Sequence, residues 1–168
     1  MSISMYQASV PALVRGLTAL QAILGKAEAH AAEKQVDPSV FTSARLFPDM
    51  LPLTRQIYIA TDTAKGCAAR LAGVEPPKYD DVETTFDELT ARLQKTIDYL
   101  KSLDAAQIDG SEEREIVLKM RSGPIEFTGA SYLLTFVLPN FYFHVTTAYD
   151  ILRHNGVELG KLDYLGGR

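Results

Sequence analysis

The sequence has 168 residues, 46% of them hydrophobic and 23% charged, and a formal net charge of −4 at pH 7. These proportions are those of an ordinary globular protein, so they exclude a disordered or fibrous chain, and the length suits one domain, residues 1–168. Lys and Arg are spread along the chain without forming a basic face. We therefore expect no nucleic-acid partner.

The cysteine content and the N-terminus favour a cytoplasmic location. Cys67 is the only cysteine, so no intrachain disulfide can form. No Lys or Arg precedes Arg15, and the charged start of a signal peptide is therefore missing. The longest apolar run, residues 132–145, is 14 residues long and contains Pro139, too short to span a bilayer. We expect no membrane partner.

The first predicted helix covers roughly Ser4 to Lys34, because apolar residues recur there at alternating steps of three and four. Pro11 predicts either a kink or a helix that begins just before it. Asp37 followed by Pro38 predicts the capped start of a short helix.

The second predicted helix runs from about Pro48 to Ala72 and ends at Gly73, a residue suited to the left-handed C-cap conformation. The third runs from about Thr84 to Leu103, and Thr85 with Glu88 three residues later forms a capping box.

Between the third and fourth helices the period changes from helical to alternating. Ile116, Leu118 and Met120, then Ile125 and Phe127, alternate with polar residues on either side of a break at 122–124, which predicts a small β-hairpin.

The fourth predicted helix is capped by Thr128, is bent by Pro139 and ends before Asn155 and Gly156. Its predicted apolar stripe is Leu134, Leu138, Phe141, Val145, Ala148 and Leu152. Four such stripes bury their apolar faces most simply against one another, so the predicted fold is an all-α four-helix bundle with the hairpin between helices three and four.

Several residue blocks resemble a bacterial family of unknown function within the DinB/YfiT-like superfamily. They are Arg45-Leu46, Pro48-Asp49-Met50, Gln56, residues 69–73, residues 139–144, Thr147-Ala148-Tyr149, Leu152-Arg153, Gly156-Val157, Gly160-Lys161 and Asp163. The resemblance implies a DinB-like four-helix bundle, often a homodimer. It also implies that three histidines of helices two and four commonly bind nickel or zinc, and some relatives are thiol-dependent transferases or hydrolases.

The implied metal site is incomplete in this sequence. The chain has three histidines, His30, His144 and His154, and none lies in the second predicted helix. Ala148 stands four residues after His144, where a second ligand is needed. His154 lies ten residues on, about 280° around the helix, and cannot share a face with His144. We therefore expect no metal and no other cofactor, with Gln56 standing where a helix-two ligand would be.

The remaining site candidates are polar residues near the second and fourth helices. His144 is either a hydrogen-bonded structural residue or a ligand-binding group, and Arg45, Asp49 and Gln56 either cap helix two or line a polar pocket with His144.

Aromatic and tail residues add further expectations. Tyr149 is a further ligand-binding candidate, although the aromatic cluster to which it belongs also suits the core or a dimer interface. Cys67 lies on an apolar stripe as an inert thiol. Lys161 and Asp163 are expected to tie the C-terminal tail to the bundle, over the mouth of a pocket.

Three functions remain open from the sequence. The leading one is small-molecule binding in a cleft near helices two and four, without the usual metal. The alternatives are a metal- or thiol-dependent transferase or hydrolase of the DinB/YfiT type, and a dimeric structural protein with no ligand.

Overall fold

Four long helical segments, one hairpin and several short helices form the protein. A computed structural model describes residues 3–120 and 123–167, apart from the side chain of Met120. The elements are α1 Met5–Lys34, α2 Pro38–Thr42, α3 Leu53–Ala72, α4 Phe86–Lys101, α5 Ala105–Ile108, β1 Glu115–Met120, β2 Gly123–Thr128, α6 Gly129–Ser131, a π-helical segment Tyr132–Val137, α7 Leu138–His154 and α8 Lys161–Tyr164. The predicted bundle with its hairpin is confirmed.

Helix α1 begins where the sequence predicts. The Ser4 hydroxyl oxygen accepts a hydrogen bond from the Gln7 backbone N–H, and the Gln7 side-chain oxygen accepts one from the Ser4 backbone N–H, so two N-terminal donors are satisfied. Pro11 lies inside the helix, six residues after its start. The helix therefore neither begins at the proline nor ends there.

Helix α3 begins five residues later than predicted. A residue that precedes proline is disfavoured in the helical region, and Leu51 precedes Pro52. The backbone between Phe47 and Met50 instead forms a turn, in which the Met50 N–H donates to the Phe47 carbonyl. The C-terminus is as predicted, because Gly73 ends the helix with φ of 74°.

The third long helix and the hairpin follow their predictions closely. Thr85 and Glu88 form the predicted capping box at the start of α4. Strands β1 and β2 are antiparallel, with Ile116 opposite Phe127 and Leu118 opposite Ile125. The predicted break at Ser122 lies outside the described residues.

The last long helix differs from its prediction at its start. Thr128 caps it as predicted, but residues 132–137 form a π-helical segment, whose wider turn adds a residue and shifts the buried face. Leu134 is therefore 59% exposed, while Leu133 and Val137 are buried. The predicted position of Leu134 on the core stripe is wrong.

The core lies between the four long helices. Helix α3 packs on α7 and α4, and α1 packs on α4 and α7. The contact between α1 and α7 is close at Gly16, where a Cβ atom would lie 2.6 Å from Cε1 of Phe141. Cys67 is fully buried in α3, and burial raises the pKa of its thiol to about 12.

The C-terminal tail folds back along α1. Val157 and Leu159 are buried, and the Lys26 ammonium forms an ion pair with Asp163 at 2.6 Å. The Arg15 guanidinium donates two hydrogen bonds, of 3.1 and 2.7 Å, to the Leu165 carbonyl. Asp163 thus helps to hold the tail, as expected, whereas Lys161 is exposed.

Helix α1 is long and apolar enough to cross a membrane by length and composition alone, with a mean hydropathy of 1.3 over 18 residues. In this structure 44% of that window is buried within the bundle. Core helices share these properties, so the observation is weak evidence for a span.

Candidate functional site

A histidine and a glutamine from facing helices form a polar pair inside the bundle. His144 on α7 and Gln56 on α3 are both buried, and His144 Nδ1 lies 2.7 Å from Gln56 Oε1. Gln56 is in the first turn of α3, and α3 and α7 pack against each other. The bundle therefore brings together two of the residues that the sequence analysis names as site candidates.

The hydrogen bonds around this pair assign the proton on the imidazole. The Leu51 carbonyl only accepts, and it lies 2.9 Å from Gln56 Nε2, so the amide NH₂ group faces it. The amide oxygen then faces His144, and the ring must donate from Nδ1. In the neutral ring Nε2 consequently carries a lone pair and is an acceptor.

Burial keeps this imidazole neutral. Desolvation disfavours the charged form and lowers the pKa of His144 below its ordinary value. His144 Nε2 makes no hydrogen bond within the described part of the chain. It is a free acceptor on a largely buried ring.

The surroundings of the pair are apolar and partly open to solvent. Phe143 packs edge-on against the His144 ring, with centroids 5.2 Å apart, and is 57% exposed. Leu51, whose carbonyl holds Gln56, is 42% exposed. The polar pair thus has one exposed hydrophobic side chain, Phe143, packed on its imidazole, and a second, Leu51, on the residue whose carbonyl holds Gln56.

The other predicted site residues lie elsewhere. Arg45 is exposed and donates to the Met50 carbonyl at 2.5 Å, and Asp49 is exposed in the turn that precedes α3. Because α3 begins at Leu53 and no side chain of the described residues caps its start, the prediction that Asp49 caps this helix is wrong. No ion pair joins Arg45 to Asp49 among residues 3–120 and 123–167.

Tyr149 faces the tail rather than the histidine. Its ring meets that of Tyr164 in α8 edge-on, with centroids 6.1 Å apart. It therefore contributes to tail docking.

The donor set does not fit a three-histidine metal centre. Gln56 presents its oxygen to His144 as a hydrogen-bond acceptor, and Ala148 supplies no donor atom. His154 is exposed, and His30 packs edge-on against Phe41. Within the described residues there is no group of three or more His, Cys, Asp or Glu side chains able to hold a metal ion.

A second polar cluster, which the sequence analysis missed, surrounds a buried arginine on α4. The Arg92 side chain is 1% exposed, and its guanidinium forms ion pairs with Asp62, Asp81 and Glu83 at 2.9–3.1 Å. Its Nε–H donates to the Thr61 hydroxyl at 2.8 Å.

Aromatic rings and two further cations complete this Arg92 cluster. The guanidinium carbon lies 4.5 Å from the centroid of Tyr58 and 4.9 Å from that of Tyr79. Lys65 pairs with Asp62 and Arg55 with Asp81, so three cations face three carboxylates. The charges balance, and the donors of Arg92 already have partners within the protein. The cluster therefore has a structural role, in which it holds the 74–85 connection against α3 and α4, and it is not a ligand site.

One signal in the sequence could have revealed Arg92. It lies three residues after Leu89 and one before Leu93, on the apolar stripe of the third predicted helix. A cation in that position requires buried partners.

Comparison with known proteins places the chain in a family. The sequence model of a domain of unknown function, DUF1993, matches residues 5–165. The chain belongs to this family. A DinB family member protein from Shewanella denitrificans, known from a crystal structure, is 42% identical in sequence to the DUF1993 chain. The match covers 97% of the DUF1993 chain and 92% of the other chain, and the two structures superpose with a TM-score of 0.89. No curated protein matches the chain.

These matches confirm the resemblance inferred from the residues and the DinB-like fold. The DUF1993 chain thus combines a DinB-like bundle with a buried histidine–glutamine pair between α3 and α7.

Proposed function

We propose that this DUF1993 protein binds a small molecule through His144, in a cleft between α3 and α7, without a three-histidine metal centre. The observation that carries the proposal is the chain of hydrogen bonds from the Leu51 carbonyl through Gln56 to His144. It fixes the ring orientation and leaves one acceptor atom, Nε2, without a partner among the described residues.

The chemistry of the pair selects the kind of ligand. A neutral imidazole that donates from Nδ1 offers a lone pair at Nε2, which binds an O–H or N–H group. A carboxylate offers only lone pairs and is disfavoured at this atom. The ligand is therefore an alcohol, amine or amide with an apolar part that packs on Phe143 and Leu51.

Ring-nitrogen NMR of the three histidines tests the proposal directly. A fragment set of small alcohols, amines and amides is titrated into ¹⁵N-histidine-labelled protein, and the Nε2 signal of His144 is expected to shift on binding while that of exposed His154 does not. His144→Ala is expected to abolish the binding of these fragments. His154→Ala is the matched control and should bind them as the wild type does.

Two outcomes would contradict the proposal. One is fragment binding that persists in the His144→Ala variant. The other is stoichiometric nickel or zinc in protein purified without a histidine tag, since a metal ion would occupy the same lone pair.

A further inference from the structure

A pocket lies at the opposite end of α3 from the histidine–glutamine pair. It has a volume of about 520 Å³ and is bounded by the C-terminal turn of α3, the segment 73–76 and β1. Arg70, Arg114 and Lys119 contribute cationic side chains to its lining. Arg70 lies 14 residues after Gln56, which corresponds to about 21 Å along the helix, so the two sites are separate.

Among the described residues, each of the two arginines makes one hydrogen bond that holds its side chain in place. Arg70 Nη1 donates to the Tyr132 hydroxyl at 3.0 Å, and Arg114 Nη1 donates to the Leu71 carbonyl at 2.6 Å. Both side chains are half-buried. A guanidinium has five N–H groups, so most of the donors of both residues remain available.

Arg92 differs from Arg70 and Arg114 because protein groups already occupy the N–H donors of its guanidinium. Arg92 is matched by carboxylates and a hydroxyl. Within the described ranges, neither Arg70 nor Arg114 forms an ion pair. Two acidic residues, Glu75 and Glu115, also line the pocket, and both are exposed. Neither forms an ion pair with Arg70 or Arg114 in the described part of the chain.

The helix terminus explains only part of this positive charge. The C-terminus of α3 carries about half a negative charge, which one cation is enough to offset. The Arg114 hydrogen bond to the Leu71 carbonyl already supplies it. Arg70 and Lys119 are not needed for that role, and the three cations of the lining against its two carboxylates leave the pocket with one net positive charge.

We propose that the pocket formed by Arg70, Arg114 and Lys119 binds an oxyanion, the phosphate or carboxylate group of a small molecule. Two guanidinium forks that face one cavity match the paired oxygens of such groups. The Tyr132 hydroxyl and the Leu71 carbonyl orient the forks before the ligand arrives.

Titration of the full-length protein with inorganic phosphate, and in a second arm with succinate, tests this inference. Ionic strength is held constant with sodium chloride, and backbone amide shifts are followed by ¹H–¹⁵N NMR. We expect saturable shifts confined to Gly73–Glu75 and Arg114–Val117, and the arm with the lower dissociation constant identifies the group that is preferred.

Substitutions then assign the binding to the two arginines. Arg70→Gln and Arg114→Gln are each expected to weaken binding about 10-fold or more, as the loss of a charge-assisted hydrogen bond predicts. Arg153→Gln is the matched control, an exposed arginine in the last turn of α7, and should bind as the wild type does.

The alternative explanation, that Arg114 is only a helix cap, has its own variant. Arg114→Lys keeps a charge and a donor for the Leu71 carbonyl but lacks the fork, so it should stay folded and still bind less tightly. It replaces Arg114→Gln if that variant unfolds. Non-saturating shifts in both arms, or unchanged dissociation constants in Arg70→Gln and Arg114→Lys, would overturn the proposal.

Discussion

At the scale of single residues, the proton on His144 links the site to stability. Burial lowers the pKa of His144 in the folded protein, whereas in the unfolded chain it lies near its ordinary value of about 6.5. As the pH falls through that value, the unfolded chain binds a proton that the folded protein resists. The unfolded state is then favoured, and stability is lost on the acid side of neutrality.

We therefore predict that the free energy of unfolding of the wild type decreases between pH 7 and pH 5 more steeply than that of His144→Asn. The variant lacks the titrating ring and so lacks this contribution. Urea denaturation at a series of pH values measures the two slopes. Equal slopes for the wild type and His144→Asn would contradict the prediction.

The Arg92 cluster gives a second prediction at this scale. Arg92→Met removes the buried cation, which leaves Glu83 without its ion-pair partner and Asp62 and Asp81 with only Lys65 and Arg55, so we expect a destabilisation of about 3 kcal/mol. Arg55→Met, at the exposed edge of the same cluster, should cost less than about 1 kcal/mol. Chemical denaturation of both variants measures the difference. Similar losses of stability in Arg92→Met and Arg55→Met would show that the burial of Arg92 does not determine its contribution to stability.

At the scale of elements, the two glycines of α1 predict opposite effects for the same substitution. A Cβ at Gly16 would overlap the Phe141 ring, whereas a Cβ at Gly25 meets nothing within 4 Å. Gly16→Ala should therefore destabilise the protein by about 1–3 kcal/mol through overpacking. Gly25→Ala should stabilise it by up to about 1 kcal/mol, because alanine favours the helix.

Thermal denaturation of the two alanine variants measures these shifts. Changes of the same sign in both would show that helix propensity, rather than the packing of Phe141, controls this part of α1.

Local signals in the sequence were sufficient for most helix ends. The capping boxes at Ser4 and Thr85 and the left-handed Gly73 depend on neighbouring residues only, and they are visible without the fold. The π-helical segment was not predictable in this way. Its extra residue in a turn leaves Leu134 in solvent, and the spacing of Leu134 and Leu138 suits an ordinary helix equally well.

The site was predictable only where residues lie on regular helices. His144 and Gln56 project from α7 and α3, so their proximity follows from the helix positions and the resemblance. Arg45 and Asp49 lie in an irregular segment whose path depends on Pro52. The Arg92 cluster depends on the 74–85 connection, which supplies Tyr79, Asp81 and Glu83. This connection has no helical or strand periodicity in its sequence, so the path of its backbone could not be predicted.

At the scale of the whole molecule, the tail closes one side of the bundle. Removal of residues 157–168 exposes the surface covered by Val157 and Leu159 and deletes the contacts to Arg15 and Lys26. We expect a clear fall in melting temperature, because each buried aliphatic side chain contributes about 1.5–3 kcal/mol. Asp163→Asn, which removes the ion pair alone, should lower it far less. An unchanged melting temperature after truncation would show that the tail is not docked.

The burial of Cys67 makes its reaction with thiol reagents a measure of how often the folded protein opens. The only thiol in the chain is sealed inside α3, and its raised pKa leaves almost no thiolate at neutral pH. A thiol reagent reaches the sulfur only when the helices part. The rate of labelling at Cys67 therefore counts excursions from the native state, and copies of the native protein stay uncrosslinked in oxidising surroundings.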